Sequence, residues 1–397
     1  MPEGAVTDGG GGDGKCVRSW SGVGGWFGKA GGSAAGLRRF VRQAPSERAL
    51  AGVISLTPGA RLLPRQGLRS ASVARRGSLQ VLLPPVPSPS LGTRITMGEI
   101  LVGTCSWTDR ALVGSGWYPV GRRDAEGRLR HYAEQFPVVE VDSTYYGLPS
   151  ERNSRLWAER TPDGFRFDVK AFSLLTGHPT RPAALPDDLR SAFVRRRGGE
   201  AGADNGLLDD VWRRFSAAVE PLRAARRLGA LLFQFPPWFA PGVRAEEFLT
   251  RCRERTEGWP VAVEFRHPEW WRGEGRQADT AALLRELGVA AVAVDMAQTL
   301  PASIPPVAPV TDDRLAVVRL HGRNAAWGTG SKEERFRHRY GEEELREWVP
   351  RVRKMAERAD VVHVLFNNCC GDAAVRAAES MRGLLGQTYQ EEGEGAE

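Results

Sequence analysis

The feature that most constrains this chain is an alternation of short apolar segments with segments of helical character. Eight apolar runs, rich in Val, Ile, Leu, Ala and Phe, recur after residue 97. Such runs are typical of parallel strands buried on both faces, which need helical crossovers between them. The predicted strands are Ile100–Cys105, Val138–Asp142, Phe165–Lys170, Ala230–Phe235, the run that begins at Val261, Ala290–Asp295, Leu315–Leu320 and Val361–Phe366.

Helical segments fill most of the intervals, and Leu207–Leu228 is strongly amphipathic. The interval from His178 to about Asp210 reads instead as a long insertion, first rich in Pro and Arg and then in Gly. Eight strand–helix units predict a single closed (β/α)8 TIM barrel over residues 97–390. An open doubly wound sheet is the alternative, but it would want a glycine-rich phosphate turn after the first strand, and 103–106 is not one.

Residues 1–96 differ from the rest in composition. They are rich in Gly, Arg, Ser and Pro and carry a net charge of +9, which leaves −2 for the remaining chain. We predict a disordered, low-complexity basic extension, because such a segment cannot offset its ordering entropy. Two alternatives stay open: either translation begins at Met97, directly before the first strand, or the extension is an arm that binds nucleic acid or membrane.

Cysteine usage and hydropathy indicate the compartment. The five cysteines are Cys16, Cys105, Cys252, Cys369 and Cys370, with no Cys-x-x-Cys pair, which is typical of a reducing environment. No window approaches the roughly 18 apolar residues of a membrane helix. The sequence therefore predicts a cytoplasmic protein without a membrane partner, and its oligomeric state is left open.

Polar residues are concentrated where the predicted strands end. The run that begins at Val261 changes abruptly from apolar residues to Glu264, Arg266 and His267 before Pro268 stops the strand. In a TIM barrel the chemistry sits at the carboxyl ends of the strands. Buried carboxylates are costly unless they are paired or bound to a metal, so this concentration predicts a functional site.

Three sets of candidate site residues follow from this pattern. The candidate catalytic residues are Glu264, His321, Asp142 and Glu140. The candidate substrate-binding residues are Arg266, Arg319, Arg323, Asn324, Gln234, Asn367, Asn368, Tyr145, Trp107 and Trp270. The cofactor is unknown, with a divalent metal as the candidate, bound by Asp295 together with Glu140, Asp142 and Glu264.

Structural interpretations stand beside these functional ones. Glu264 and Arg266 share one face of a strand and can form an ion pair that joins neighbouring strands. Asp168 and Lys170 are interpreted as a salt-bridged pair rather than as a base and a Schiff-base lysine. His363, in the middle of an apolar run, is interpreted as a core residue.

Several blocks of the sequence resemble a known family. They are Gly-Thr-Cys-Ser-Trp at 103–107, Glu-Val-Asp-Ser-Thr-Tyr-Tyr at 140–146, Phe-Gln-Phe-Pro-Pro at 233–237, Glu-Phe-Arg-His-Pro-Glu-Trp at 264–270, Arg-Leu-His-Gly-Arg-Asn at 319–324 and Asn-Asn at 367–368. Together they are similar to domain of unknown function 72, the YecE-like family. The resemblance implies a TIM barrel but no particular activity. Many members continue the Asn-Asn block with His-Tyr, where this chain has Cys369 and Cys370.

Three functions are compatible with the pattern. The first is an enzyme, favoured as a hydrolase, that acts on a phosphorylated or otherwise anionic substrate with a metal's assistance. The second is metal-free acid–base catalysis on a sugar or sugar phosphate. The third is a non-enzymatic barrel that binds a ligand. A small-molecule or nucleic-acid-derived substrate fits the first two.

Overall fold

Eight parallel strands close into one barrel in chain order in this computed structural model, with the last strand paired to the first. The structure describes residues 97–197, 206–328, 334, 337–368 and 370–387. The extension predicted for residues 1–96 lies outside this range, as does Cys369. The strands are β1 Glu99–Thr104, β2 Val138–Val141, β3 Arg166–Lys170, β4 Leu228–Gln234, β5 Val261–Glu264, β6 Ala290–Asp295, β7 Leu315–Leu320 and β8 Val361–Phe366. The predicted TIM barrel is therefore confirmed.

Helices fill the intervals between the strands. They are α1 Arg110–Gly114, α2 Ala125–Gln135, α3 Glu151–Glu159, α4 Asp187–Arg197, α5 Leu207–Ala224, α6 Val243–Glu254, α7 Gly273–Glu286, α8 Glu342–Ala356 and α9 Ala373–Leu385. Side chains cap several of their first turns: Asp109 accepts from the amide of Ala111 at 2.9 Å, and Ser150 accepts from that of Asn153 at 3.2 Å. Within the described residues, none of the helices is both long and apolar enough to cross a bilayer.

The interval after β3 was predicted to be a long irregular insertion, but it contains the helix α4. The sequence of α4 has few apolar residues, so its helical pattern is weak. Asp187 and Asp188 lie in its first turn, where their negative charges interact favourably with the positive end of the helix dipole. Leu189 and Phe193, one turn apart, are both buried. Two well-placed apolar side chains and a favourable first turn therefore suffice for this helix.

Strand register decides which side chains enter the barrel. Glu140 is paired with Asp168, Gln234 with Glu264, and Val294 with Arg319. Paired residues of parallel strands point to the same face, and the face alternates along each strand. The inner face therefore carries polar residues from several strands, whereas the outer face packs on the helices.

Candidate functional site

Arg319 of β7 is the centre of a buried ion cluster inside the barrel. Its Nε and Nη2 donate to the two carboxylate oxygens of Glu140, each at 2.8 Å. Its Nη1 donates to Glu264 and, at 3.3 Å, to the amide oxygen of Gln234. The Cys105 thiol lies 3.1 Å from Glu140 Oε2. One guanidinium therefore bridges carboxylates of β2 and β5 across the barrel, as planar donors allow.

Charge pairing keeps Glu264 and Arg319 ionised. Glu140 and Glu264 are fully buried, and Arg319 is 1% exposed. Burial alone would raise the pKa of Glu264, but Arg319, the hydrogen bond from His321 and Arg266 hold that pKa well below its usual range. Burial would lower the pKa of Arg319, yet Glu140 and Glu264 hold it well above its usual range. The cluster is thus a fixed set of charges that removal of one member would leave uncompensated.

His321 extends the cluster beyond the end of β7. Its Nε2 lies 3.2 Å from Glu264 Oε1, and its Nδ1 lies 2.9 Å from Asn367 Nδ2. The ionised carboxylate can only accept, so Nε2 carries the proton and Nδ1 accepts from the amide. Burial lowers the pKa of His321 to about 4, against the raising effect of Glu264. His321 is therefore a neutral imidazole with a defined tautomer.

A second layer of polar side chains lies above this cluster and keeps partial contact with solvent. It comprises Asp142, Tyr145, Lys170, Arg266 and Asn367, all part-exposed at or just beyond the carboxyl ends of strands β2, β3, β5 and β8. Arg266 donates to Glu264 Oε1 at 2.9 Å and so connects the two layers. The mouth of the barrel is therefore open to water at these residues and closed below them.

Aromatic rings line the β2–β4 side of the mouth. The Lys170 Nζ lies 4.8 Å from the ring centroid of Tyr145, which packs edge-on against His178 at 5.2 Å. The His178 ring in turn packs edge-on against the ring of Trp238, which is 54% exposed. Burial, then Lys170 and Arg266, lowers the pKa of His178 to about 4. The sequence pattern did not single out His178, because it lies in the loop after β3 and reaches the mouth only through the 3-10 turn Ser173–Thr176.

The predicted salt bridge between Asp168 and Lys170 is wrong. The two oxygens of Asp168 lie 3.0 and 2.9 Å from Nδ1 of His363, both residues being buried deeper in the barrel. Side chains two residues apart on a strand share a face but are separated along it, so the partner of Asp168 comes from across the barrel. His363 is buried, as its interpretation as a core residue requires, and it is paired with a carboxylate rather than with apolar groups alone.

Asp295 lies on the other face of the wall, and the predicted metal set is not formed. Its carboxylate accepts from Arg323 at 2.9 Å, from the Tyr340 hydroxyl at 2.7 Å and from Trp348 Nε1 at 2.9 Å. In register it is paired with Leu320 and not with Arg319, so it points outward toward α8. Among the described residues, no group of three or more His, Cys, Asp or Glu side chains is arranged to hold a metal ion.

Several predicted substrate-binding residues have structural positions instead. Trp107 is buried against Trp157 and Phe167, and Trp270 stacks on Phe265 at 4.0 Å between ring centroids. Asn324 holds its own loop through the carbonyls of Glu334 and Arg337, while Asn368 is fully buried and donates to the carbonyl of His338.

Arg323 leaves the inner face because the chain turns after β7. Gly322 has a φ of 91°, which favours glycine and ends the strand alternation. A Cβ at this position would lie 2.7 Å from His338 Cβ. The guanidinium of Arg323 is therefore directed to Asp295 rather than to the barrel mouth.

The fold and this inner ion cluster define a TIM-barrel protein with a polar mouth at the carboxyl ends of its strands. Comparison with known proteins gives the family: the profile described as "Protein of unknown function DUF72" matches residues 101–396, so this chain belongs to the DUF72 family. The predicted resemblance is confirmed.

Individual relatives agree with this assignment. The UPF0759 protein YunF of Bacillus subtilis is 29% identical over 73% of this chain and 96% of its own length. The UPF0759 protein YecE of Escherichia coli is 30% identical over 38% of this chain and 45% of its own length. The crystal structure of a DUF72 family protein from Thermotoga maritima has a TM-score of 0.58, with 30% identity over 72% of this chain and 99% of that chain.

Proposed function

We propose that this protein is an enzyme that binds a small polar substrate, such as a sugar phosphate, at the barrel mouth and acts on it by metal-free acid–base chemistry. The observation that carries the proposal is the two-layer arrangement: a buried, charge-paired cluster lies beneath side chains that remain part-exposed. A fixed lower layer holds the upper one in place, and preorganised charge is a major source of catalysis.

The part-exposed layer supplies the groups that would contact the substrate. Arg266 and Asn367 are suited to bind a phosphate or hydroxyl group, since one offers charged N–H donors and the other an amide. Asp142, just beyond the end of β2, and Lys170, the last residue of β3, are titratable groups suited to move protons. The exposed ring of Trp238 offers a face against which a sugar can pack.

The buried layer is assigned a positioning role. Glu264 and His321 are candidate catalytic residues by their sequence pattern, but each is buried and already hydrogen-bonded on both sides. Glu264 orients Arg266, and His321 orients Asn367. Glu140 and Arg319 complete this layer from the opposite side of the barrel. The geometry does not support metal-assisted hydrolysis, because Asp295, the predicted metal ligand, faces outward and does not join the inner carboxylates.

A ligand screen with the full chain tests the proposal. Thermal shifts are measured with a panel of sugars and sugar phosphates, and a ligand at 100 times its Kd adds about 2.7 kcal/mol of stability. Each hit is then incubated with the protein, with and without EDTA, and product is sought by NMR. We expect at least one phosphorylated hit to be turned over, with no effect of the chelator.

Two variants locate the binding site. Arg266→Met should remove the thermal shift, because it takes the charged donor from the mouth. Arg272→Met is the matched control: Arg272 lies in the same loop, with a side chain 63% exposed and paired with Glu269. Equal losses in both variants would contradict the proposed site. Binding without turnover of any hit would favour the ligand-binding barrel instead.

A further inference from the structure

Lys170 is held rigidly at the mouth of the barrel. It is the last residue of β3, in register with Leu232 of β4. Its backbone carbonyl accepts from the Thr144 hydroxyl at 2.5 Å, and the next amide donates to the carbonyl of Leu232 at 2.9 Å. The strand end is therefore tied to β2 and β4, and the amine extends from a fixed backbone.

Among the described residues, the amine of Lys170 contacts no anionic partner. Within the part of the chain that the structure describes, its Nζ makes neither a hydrogen bond nor an ion pair, and its close neighbour is the ring of Tyr145. Burial and then Arg319 lower its pKa, while the charges of Glu140, Glu264 and Asp142 oppose that shift. An amine that is partly desolvated and repelled by another cation has a larger neutral fraction, which is the nucleophilic form.

The choice of lysine at this position is unusual for this chain. The sequence contains 50 arginines and 5 lysines. Arginine would provide a cation of similar reach, but it stays protonated and cannot act as an amine nucleophile. The other four lysines offer no comparable setting in the described structure: Lys15, Lys29 and Lys332 lie outside it, and Lys354 is exposed on α8.

The surroundings of the amine suit a planar, polar ligand. Burial raises the pKa of Tyr145 to about 12, so its hydroxyl stays protonated and can donate to a carbonyl oxygen. Burial, Lys170 and Arg266 keep His178 neutral behind that ring. Asp142, part-exposed just beyond the end of the neighbouring strand β2, is a carboxylate suited to carry a proton.

From this geometry we infer that Lys170 forms an imine with the carbonyl group of an anionic ligand, an aldehyde or ketone that bears a phosphate or carboxylate. The neutral amine attacks the carbonyl carbon and gives a carbinolamine. The carbonyl oxygen then leaves as water with the two protons of the amine, and a C=N bond replaces the C=O bond. No oxidant or reductant takes part. The inference rests on the proposed function, since Arg266 would hold the anionic group, and it names the substrate class as a carbonyl compound.

Reductive trapping tests the inference. The full chain is incubated with dihydroxyacetone phosphate or pyruvate as carbonyl probes, sodium cyanoborohydride is added, and labelled peptides are quantified by mass spectrometry. We expect the peptide that contains Lys170 to be labelled at least about tenfold faster than the peptide that contains Lys354, because the bound probe is held with its carbonyl group beside the Lys170 amine. Lys354 serves as the internal control.

Two variants and one further ligand distinguish a failure of the imine from a failure of the proposed binding site. Lys170→Arg keeps the cation and should lose the label, whereas Lys354→Arg should leave labelling of Lys170 unchanged. Equal labelling of Lys170 and Lys354, or no label at Lys170, overturns the imine whatever else is found. Thermal shifts with glycerol 3-phosphate, which has no carbonyl group, then show whether the proposed binding site also fails: a shift lost in Arg266→Met retains that site, and the absence of any shift with phosphorylated ligands removes it.

Discussion

The clusters around Arg319 and Asp295 use the same residue types on the neighbouring strands β7 and β6, yet they lie on opposite faces of the barrel wall. In both, arginine is paired with a buried carboxylate. The Arg319 cluster lies beneath part-exposed side chains, whereas Asp295 is enclosed by Arg323, Tyr340 and Trp348. The difference shows that the residue types of a buried ion pair do not decide whether it supports a functional site. The side chains around it decide this, through their access to solvent.

The largest expected effect comes from breaking the inner cluster. Arg319→Met should lower the free energy of unfolding by about 4 kcal/mol, because it leaves Glu140 and Glu264 buried without a counter-charge. Urea unfolding measures the loss. The triple variant that also carries Glu140→Gln and Glu264→Gln should recover part of it. A loss below about 1 kcal/mol in the single variant would show that water or another group already compensates the two carboxylates.

The acid sensitivity of the protein should depend on His178 at the barrel mouth. The pKa of His178 is lowered from 6.5 to about 4 in the folded protein. The unfolded chain therefore binds a proton between those values that the folded protein does not, so stability is lost as the pH falls through this window, by on the order of 3 kcal/mol in full. Unfolding of the wild type and of His178→Gln is compared at pH 7 and at pH 4.5.

The expected result for His178→Gln is a smaller loss of stability than in the wild type over the same pH interval. The wild type should lose about 2 kcal/mol more than the variant by pH 4.5, before the full shift is reached. Parallel pH profiles for the two proteins would contradict the neutral, buried state of His178 in the folded protein.

The cluster around Asp295 should affect the stability of the protein without affecting ligand binding at the barrel mouth. Asp295→Asn should cost about 2 kcal/mol, because hydrogen bonds to a charged acceptor are weakened while the packing stays. Thermal shifts with glycerol 3-phosphate should keep their size in this variant, and they should shrink in Glu264→Gln, which releases Arg266. If both variants impair binding equally, the contrast between the two faces is wrong.

The smallest stability effect is expected at the rim. Arg266→Lys should change the free energy of unfolding by no more than about 1 kcal/mol, since its side chain is part-exposed and Glu264 keeps Arg319 and His321 as partners. Ligand binding should weaken more than stability does, because lysine lacks the two-pronged donor geometry for a phosphate. Isothermal titration beside urea unfolding separates the two quantities. A variant that loses stability but keeps affinity would reassign Arg266 to the structural cluster.

The barrel was predictable from the sequence because its cause is local. Each of the eight apolar runs is buried on both faces, and the helical segments between them favour parallel strands, which close into a barrel in chain order. The concentration of polar residues at strand ends was also readable, and Glu140, Glu264, Arg319 and His321 do converge. The helix α4 was missed because tertiary burial of Leu189 and Phe193 outweighs its weak pattern.

The assignments that failed depend on pairings across the barrel or on a change of face. Asp168 finds His363, 195 residues away, rather than the nearby Lys170. Asp295 and Arg323 appear with the other strand-tip residues in the sequence, but register and the turn at Gly322 place them outside.

The sequence by itself determined the period of the pattern, and with it the strands, the helices and the end of the barrel where polar residues gather. Only the tertiary structure decided which of those residues share a face, which are saturated by partners and which remain open to solvent. The physical reason is that side-chain alternation is a property of each strand alone, whereas pairing, burial and access to water depend on where eight strands meet.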